Sequence, residues 1–244
     1  MAIIYDNERI DTLFDSPLQI IQSPEVFCFS LDAVLLAHFA SIPIQNGTIA
    51  DLCAGNGAVA LMLTERSKAK ITEVELQPRL HDMAVRSVEL NGLESQVECL
   101  LGDAKISPEM LGQERFDTVT CNPPYFSQSQ TTRQNPNRHL ALARHEIEIT
   151  LDDVVKVSSQ LLKQKGKAAF VHRPERLLDL LIAMRLYRLE PKRLCYVYPK
   201  KGRDANIILV EGIKDGKAGI KVLPPLFVYG EDGHYTKELY SFLS

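Results

Sequence analysis

The 244-residue sequence lacks any run of about 18 apolar residues, the length that a membrane-spanning helix requires. Its first residues, MAIIYDNERIDTLF, include acidic side chains. They lack the basic segment and the long apolar stretch that make up a secretory signal. We therefore expect a cytoplasmic protein that has no membrane segment.

Cysteine and histidine are few and scattered. The five cysteines include no C-x-x-C pair, and the six histidines include no H-x-x-x-H pair or other metal-ligand spacing. Reduced, buried thiols are the expected state of the cysteines. We predict that the protein binds no metal.

Basic charge is not in excess. The sequence has 28 lysines and arginines against 31 acidic residues, which gives a net charge of −3. Any surface that binds nucleic acid must therefore be a local patch. An apolar fraction of 45% and a charged fraction of 24% are ordinary for one large globular domain.

Short apolar runs alternate with segments of helical periodicity from residue 48 onward. Strands are predicted over 48–53, 70–75, 97–101, 116–121, 167–172, 193–198 and 206–211. Helices are predicted over 58–66, 78–90, 151–163 and 174–188. This alternation predicts an α/β, Rossmann-like fold with a seven-stranded, mostly parallel sheet and helices on both faces. No helix separates the last two strands, so they should form an antiparallel C-terminal hairpin at one edge.

The chain outside this core is short. Residues 1–47 are predicted to form an N-terminal extension packed on the core, in which Ser30 is the N-cap of a helix. Residues 48–215 form the predicted core domain. Residues 216–244 form a predicted C-terminal tail that packs on the same domain.

The turn DLCAGNG, residues 51–57, joins the first strand of the core to its first helix. Its glycines allow the backbone to turn tightly and to approach a ligand closely. Glu75 ends the second strand, where a carboxylate accepts hydrogen bonds from ribose hydroxyls in doubly wound folds, and Asp103 follows the third strand. Together these positions predict a cofactor that contains a nucleoside.

S-adenosylmethionine is favoured over NAD as that cofactor. The turn lacks the G-x-G-x-x-G spacing, and its first residue, Asp51, would repel a pyrophosphate but suits the ammonium of a methionyl group. The candidate cofactor-binding residues are Asp51, Ala54, Gly55, Gly57, Glu75, Leu76, Asp103, Ala104 and Asn122.

The predicted strand over 116–121 ends in the tetrapeptide NPPY, residues 122–125, whose prolines cannot continue a strand or a helix. DLCAGNGAVAL, VELQP, LLGDA and FDTVTCNPPYF, in this order and spacing, resemble the class I S-adenosylmethionine-dependent methyltransferases of the small-domain type. The resemblance covers roughly residues 25–215, and NPPY is the signature of the branch that methylates planar amino groups. It implies S-adenosylmethionine as methyl donor and S-adenosylhomocysteine as product. Cys53 departs from the family, which more often has glycine there.

The chemistry of a planar amine explains the residue types in NPPY. The lone pair of such an amine is delocalised, so the nitrogen is a poor nucleophile. The side-chain oxygen of Asn122 and the carbonyl of Pro123 can accept hydrogen bonds from the two N–H groups of the amine. These bonds favour a pyramidal nitrogen with a free lone pair. Proline rigidity holds the carbonyl in place, and Tyr125 offers a flat face for a flipped base. We therefore predict Asn122, Pro123 and Tyr125 as catalytic residues.

Two segments are rich in basic residues. Residues 126–145 contain three arginines and no acidic residue, and residues 185–203 contain seven basic residues against Glu190. Such clusters can track the phosphates of RNA. The candidate RNA contacts are Phe126, Arg133, Arg138, Arg144, Lys200, Lys201 and Arg203.

The segments VFCFSLDAVLLAHFA and ARHE are similar to those of bacterial tRNA adenine-N6 methyltransferases that act on the adenine beside the anticodon of valine tRNA. This resemblance implies tRNA as substrate. Release-factor glutamine N5-methyltransferases also carry NPPY but have a helical domain before the first motif, where this chain has only 50 residues. Ribosomal-RNA guanine N2-methyltransferases usually have phenylalanine after NPP. A catalytically silent RNA-binding module is a further alternative, against which Glu75 and Asn122 argue.

Overall fold

The computed structural model describes residues 4–14, 16–26, 28–124 and 149–243. The strands in these ranges are β1 (Arg9–Thr12), β2 (Gln19–Gln22), β3 (Thr48–Leu52), β4 (Lys70–Glu75), β5 (Val97–Leu101), β6 (Phe116–Cys121), β7 (Leu162–His172), β8 (Leu189–Lys200), β9 (Ile207–Lys214), β10 (Lys221–Val222) and β11 (Leu226–Tyr229). The α-helices are α1 (Leu31–Phe39), α2 (Ala58–Arg66), α3 (Pro78–Leu90), α4 (Ser107–Leu111), α5 (Leu151–Leu161), α6 (Leu177–Leu186) and α7 (Lys237–Leu243). Short 3₁₀ turns, Ala104–Ile106 and Pro174–Arg176, precede α4 and α6.

A mostly parallel sheet forms the centre of the molecule. Its strand order is β10-β8-β9-β7-β6-β3-β4-β5, and β11 also pairs with β8. Among these strands, β9 runs antiparallel to both of its neighbours, β7 and β8. The predicted α/β fold and its antiparallel C-terminal hairpin are confirmed.

Two features of the sheet differ from the sequence-based expectation. The reversed strand, β9, lies inside the sheet, because β8 folds back onto its outer side. The tail adds β10 and β11, both parallel to β8, so the described sheet has nine strands and the hairpin is not its edge. The prolines at 224 and 225 separate these two short strands, because neither has an N–H group for the ladder.

Apolar clusters cover both faces of the sheet, and successive residues of a strand belong to different clusters. Ile49 packs with α1 and α2, whereas its neighbour Ala50 packs with α5 and α6. Val171 and Phe170 of β7 divide between the clusters in the same way. This placement explains why the core strands read as continuous apolar runs.

Helix boundaries follow local signals. Thr150 caps α5 through a capping box, in which its hydroxyl accepts the Asp153 N–H and the Asp153 carboxylate accepts the Thr150 N–H. Pro78 occupies the first turn of α3, where its missing N–H is not needed. None of the described helices is long and apolar enough to cross a bilayer.

The N-terminal hairpin β1–β2 packs on α3. The Ile21 N–H donates to the Ser87 hydroxyl at 3.0 Å. Arg86 donates to both carboxylate oxygens of Glu8 at 2.7 and 2.8 Å, and its guanidinium lies 4.4 Å from the centroid of the Tyr5 ring. The Glu8 side chain is 1% exposed, so this ion pair is withdrawn from water.

We expect Arg86→Ala to lower the free energy of unfolding by on the order of 2 kcal/mol, because it leaves the Glu8 carboxylate buried without its bidentate partner. Urea denaturation measures the change. Arg9→Ala is the matched control, since the Arg9–Asp11 pair is half exposed and should contribute far less to stability. Equal losses in the two variants would contradict this account of how the hairpin is held.

Candidate active site

The carboxyl ends of β3, β4, β5 and β6 meet at one edge of the sheet. Leu52 of β3 aligns with Val74 of β4 on one side and with Cys121 of β6 on the other. The turn after β3 therefore lies between Glu75 and Asn122. This edge is where doubly wound sheets bind ligands, and it brings together the predicted residues Asp51, Ala54, Gly55, Gly57, Glu75, Leu76, Asp103, Ala104, Asn122 and Pro123.

Three residues of the turn have left-handed backbone conformations, with φ of 57° at Cys53, 61° at Gly55 and 85° at Gly57. A Cβ at Gly55 would meet no atom within 4 Å, so the turn is open there. A Cβ at Gly57 would lie 3.1 Å from a carboxylate oxygen of Glu73. Glycine is therefore favoured at 57 by both close packing and backbone conformation, and at 55 by backbone conformation alone.

Glu75 holds the open turn in place. One of its carboxylate oxygens accepts the Gly55 N–H and the other accepts the Gln77 N–H, both at 2.8 Å. Burial raises the pKa of Glu75, and the backbone hydrogen bonds oppose that rise. Each carboxylate oxygen retains acceptor capacity for a ligand hydroxyl.

Asp51 lies at the floor of the site and is 1% exposed. The Thr120 hydroxyl donates to its Oδ1 at 2.7 Å, while its Oδ2 has no hydrogen-bond partner among the described residues. Burial raises the pKa of Asp51 to about 7, with a further contribution from the charge of Glu75. An orphaned carboxylate oxygen beside an open glycine turn fits a cationic ligand group.

Glu73 is a site residue that the sequence analysis missed. Its side chain is fully buried beneath Gly57, and it aligns with Asp51 across the β3–β4 ladder. Neither carboxylate oxygen has a hydrogen-bond partner of normal geometry among the described residues, and burial raises its pKa to about 8. An acidic residue in the middle of a central strand, in KITEVE, was the available signal.

Cys53 adopts the left-handed conformation that glycine accepts at lower energy. Its thiol lies beside that of Cys121, the last residue of β6. Burial is the main cause that raises the pKa of Cys121, and the contact with Cys53 adds to it. The Cys121 thiol therefore stays protonated at neutral pH. The contact joins the glycine turn to the strand that carries Asn122.

The remaining cofactor candidates line the rim of the site. Asp103 caps the turn after β5 through the Lys105 N–H, at 2.9 Å, and Ala104 is buried behind it. Leu76 is 37% exposed. The Ala54 N–H donates to the Val74 carbonyl at 3.1 Å, so it stabilises the turn instead of facing a ligand.

Asn122 and Pro123 follow β6 directly, with Pro123 buried and Asn122 half-buried. The other predicted catalytic residue, Tyr125, lies outside the described residues. The same holds for the predicted RNA contacts Phe126, Arg133, Arg138 and Arg144.

Lys200, Lys201 and Arg203 are exposed at the turn between β8 and β9. Because β8 runs parallel to β6, this basic turn lies at the same edge of the sheet as Asn122. Three strand spacings, roughly 14 Å in total, separate β8 from β6. The basic turn is therefore beside the site and not part of it.

No group of three or more histidine, cysteine or acidic side chains in the described part of the chain could hold a metal ion. The candidate site consists of backbone amides, carboxyl groups and one carboxamide. These groups suit a ligand that combines hydroxyl donors with positive charge.

The family model of the methyltransferase small domain matches residues 17–179, which is more than half of the sequence. The chain belongs to this methyltransferase family. The match includes the glycine turn, Glu75, Asp103 and Asn122, so the resemblance seen in the sequence motifs is confirmed.

Curated relatives resemble most of the chain and not only the motifs. One, from Porphyromonas gingivalis, is 29% identical over 219 residues, which is 85% of this chain and 83% of that protein. Another, from Vibrio parahaemolyticus, is 31% identical over 75% of this chain and 74% of its own length. Both carry the name tRNA1(Val) (adenine(37)-N6)-methyltransferase.

Solved structures show the same methyltransferase fold. A predicted O-methyltransferase from Agrobacterium tumefaciens is 25% identical, with a TM-score of 0.68 over 87% of this chain and 95% of that one. Geranyl diphosphate C-methyltransferase from Streptomyces coelicolor is 13% identical, with a TM-score of 0.57 over 75% of each chain, and shares the fold alone.

The buried acid Glu73 makes the stability of this methyltransferase depend on pH. The folded-state pKa of about 8 exceeds the ordinary 4.5, so folding takes up a proton between these values. The free energy of unfolding then falls as pH rises from about 4.5 to about 8. We expect Glu73→Gln, which stays neutral, to be more stable than the wild type by on the order of 4 kcal/mol at pH 8, and to approach it near pH 4.5.

Urea denaturation at several pH values measures this difference. Glu211→Gln is the control, because the Glu211 carboxylate is equally buried but accepts hydrogen bonds from Ser41 and Arg193. That variant should lose stability at pH 8. A Glu73→Gln protein less stable than the wild type at pH 8 would overturn this description of Glu73.

Proposed function

We propose that this methyltransferase transfers a methyl group from S-adenosylmethionine to N6 of adenine 37 in valine tRNA, in the cytoplasm. The observation that carries the proposal is the position of Asn122 and Pro123. They follow a buried strand directly and lie at the same sheet edge as the glycine turn and Glu75. A carboxamide and a rigid carbonyl there are suited to a planar amine.

The residues that would hold S-adenosylmethionine fit its chemistry. Glu75 has acceptor capacity for ribose hydroxyls, and the open backbone at Gly55 admits close approach. The orphaned Oδ2 of Asp51 suits the ammonium of the methionine portion. Asp103 and Leu76 line the rim, where an adenine ring would lie. The bound cofactor supplies a methyl group on a positively charged sulfur, which is already activated for transfer.

The chain itself contributes orientation and hydrogen bonding to the amine. The Asn122 side-chain oxygen and the Pro123 carbonyl accept the two N–H groups of the exocyclic nitrogen. These bonds strengthen as the nitrogen becomes pyramidal and gains positive charge, so they favour the transition state over the ground state. The two prolines keep the acceptor pair rigid, which lowers the entropy that the reaction must lose.

Adenine in tRNA is supported by the relatives, whose names specify adenine 37 of tRNA1(Val) and which align with this chain over most of their length. The basic turn at Lys200, Lys201 and Arg203 supports an RNA substrate independently, because three exposed cations lie at the edge of the sheet where the site opens. Glutamine in a release factor and guanine in ribosomal RNA are the alternatives, since both are planar amines to which an Asn-Pro-Pro acceptor pair is suited.

The substrate is tested by incubating the protein with labelled S-adenosylmethionine and three acceptors: total tRNA, ribosomal RNA and release factor. Each acceptor comes from a strain that lacks this protein. We expect label in tRNA, and nucleoside mass spectrometry should identify it as N6-methyladenosine. Label in ribosomal guanine or in release-factor glutamine, with none in tRNA, would replace the proposed substrate with that alternative.

Asn122→Ala should lower kcat by about 100-fold or more, because it removes an acceptor that acts mainly in the transition state. Its affinity for S-adenosylmethionine, measured by calorimetry, should change far less than kcat, because the other predicted cofactor-binding residues are intact.

Glu75→Gln is the reciprocal variant. It replaces an acceptor of two backbone N–H groups with an amide that can accept only one of them, so cofactor affinity should fall by about tenfold or more. Substantial turnover by Asn122→Ala, or unchanged cofactor affinity in Glu75→Gln, would contradict the assigned roles.

A further inference from the structure

Four aromatic side chains form a cluster on the surface of the C-terminal tail. Tyr229 and Tyr235 pair across an antiparallel bridge, and their rings stack with centroids 5.2 Å apart and planes 19° apart. Phe14 and Tyr240 pack against Tyr235 from other directions, with ring centroids at 5.2 and 6.3 Å. We call the stacked pair Tyr229–Tyr235 the tyrosine platform.

The platform is fixed by its surroundings yet open to solvent. The Gly230 N–H donates to the His234 carbonyl at 2.8 Å, which closes the turn that joins the two tyrosines. Tyr229 is 40% exposed and Tyr235 36%. A rigid, half-exposed stack of two aromatic rings presents a face on which a third flat ring can continue the stack.

The platform lies at the edge of the sheet that carries the candidate active site. Strand β11 runs parallel to β8, so Tyr229, its last residue, lies at the same edge as Asn122. Four strand spacings separate β11 from β6, or roughly 20 Å. Tyr229 aligns with Lys200 in the β11–β8 ladder, which places the basic turn directly beside the platform.

The charges around the platform favour a nucleic-acid base over other flat ligands. Lys200, Lys201 and Arg203 on the active-site side can bind phosphates. Glu231 and Asp232, exposed in the turn that follows Tyr229, repel phosphates on the other side. A single strand of RNA would therefore run along the basic turn while one of its bases stacks on the tyrosines.

We propose that the tyrosine platform stacks an unpaired base of the substrate RNA, at a position remote from the methylated adenine, while Lys200, Lys201 and Arg203 bind the intervening phosphates. This inference rests on the proposed function, since it assigns a second contact to the same RNA. Stacking on exposed aromatic rings is the usual means by which proteins bind unpaired bases without reading their sequence.

The test compares two substitutions of Tyr229 in binding to transcribed valine tRNA, measured by fluorescence anisotropy. Tyr229→Leu keeps an apolar side chain but removes the aromatic face, and we expect about tenfold weaker binding. Tyr229→Phe keeps the aromatic face, so its affinity should equal that of the wild type. In turnover assays Tyr229→Leu should raise KM for tRNA and leave kcat at saturating tRNA unchanged.

Tyr5→Leu is the matched control, because Tyr5 is 50% exposed and packs on Arg86 of α3, near the opposite end of the sheet. It should bind tRNA as the wild type does. Calorimetric binding of S-adenosylmethionine and urea denaturation verify that each variant is folded.

A second measurement needs no variant. Valine tRNA that contains 5-iodouridine is irradiated with the wild-type protein, and the cross-linked peptides are identified by mass spectrometry. A cross-link at Tyr229 or Tyr235 supports the platform.

Equal tRNA affinity of Tyr229→Leu and the wild type, or cross-links elsewhere only, would overturn the platform while leaving the proposed function intact. A wild-type protein that neither binds nor methylates tRNA would instead refute the proposed function.

Discussion

The pairing of β3 between β4 and β6 is the constraint on which the candidate site depends. Parallel strands end at a common edge, so this pairing alone brings the glycine turn, Glu75 and Asn122 next to one another. The hydrogen bonds from Gly55 and Gln77 to Glu75 then fix the turn against the end of β4. Without β3 between them, the ends of β4 and β6 would not be held beside the glycine turn, and site residues up to about 70 positions apart in the sequence would no longer lie together.

The same edge contains acidic groups that are unfavourable for folding. Asp51 and Glu73 lie in adjacent buried strands, and three of their four carboxylate oxygens lack a hydrogen-bond partner among the described residues. Burial raises the pKa of both, so at neutral pH each is largely neutral or near its titration point. A positively charged ligand at this edge would offset part of that unfavourable energy, which is a physical reason to find the acids beside the turn.

The sequence predicts the elements of the core well, because each has a local cause. Leu80, Met83 and Val88 recur at helical spacing and are buried in α3. The predicted strand over 116–121, which the prolines at 123 and 124 prevent from continuing, is β6 in the structure. The positions of Asp51, Glu75 and Asn122 at one edge follow from the parallel order that this alternation of elements predicts.

Other features depend on contacts that are distant in sequence and have no local signal. The outer position of β8 and the addition of β10 and β11 are decided by which sheet edge is free. The burial of Glu73 depends on the close approach of Gly57 from a different element. The aromatic cluster unites Phe14 with rings more than 200 residues later in the chain, so no spacing pattern could reveal it.

The attachment of the N-terminal hairpin has a consequence for synthesis. Glu8 and Ile21 are translated before their partners Arg86 and Ser87, which emerge 78 and 66 residues later. A two-stranded hairpin is not stable alone in water. At ribosomal rates of about 5–20 residues per second, the segment must wait for several seconds before α3 exists to receive it. The hairpin thus leaves the ribosome before the helix on which it packs, and it cannot fold before that helix.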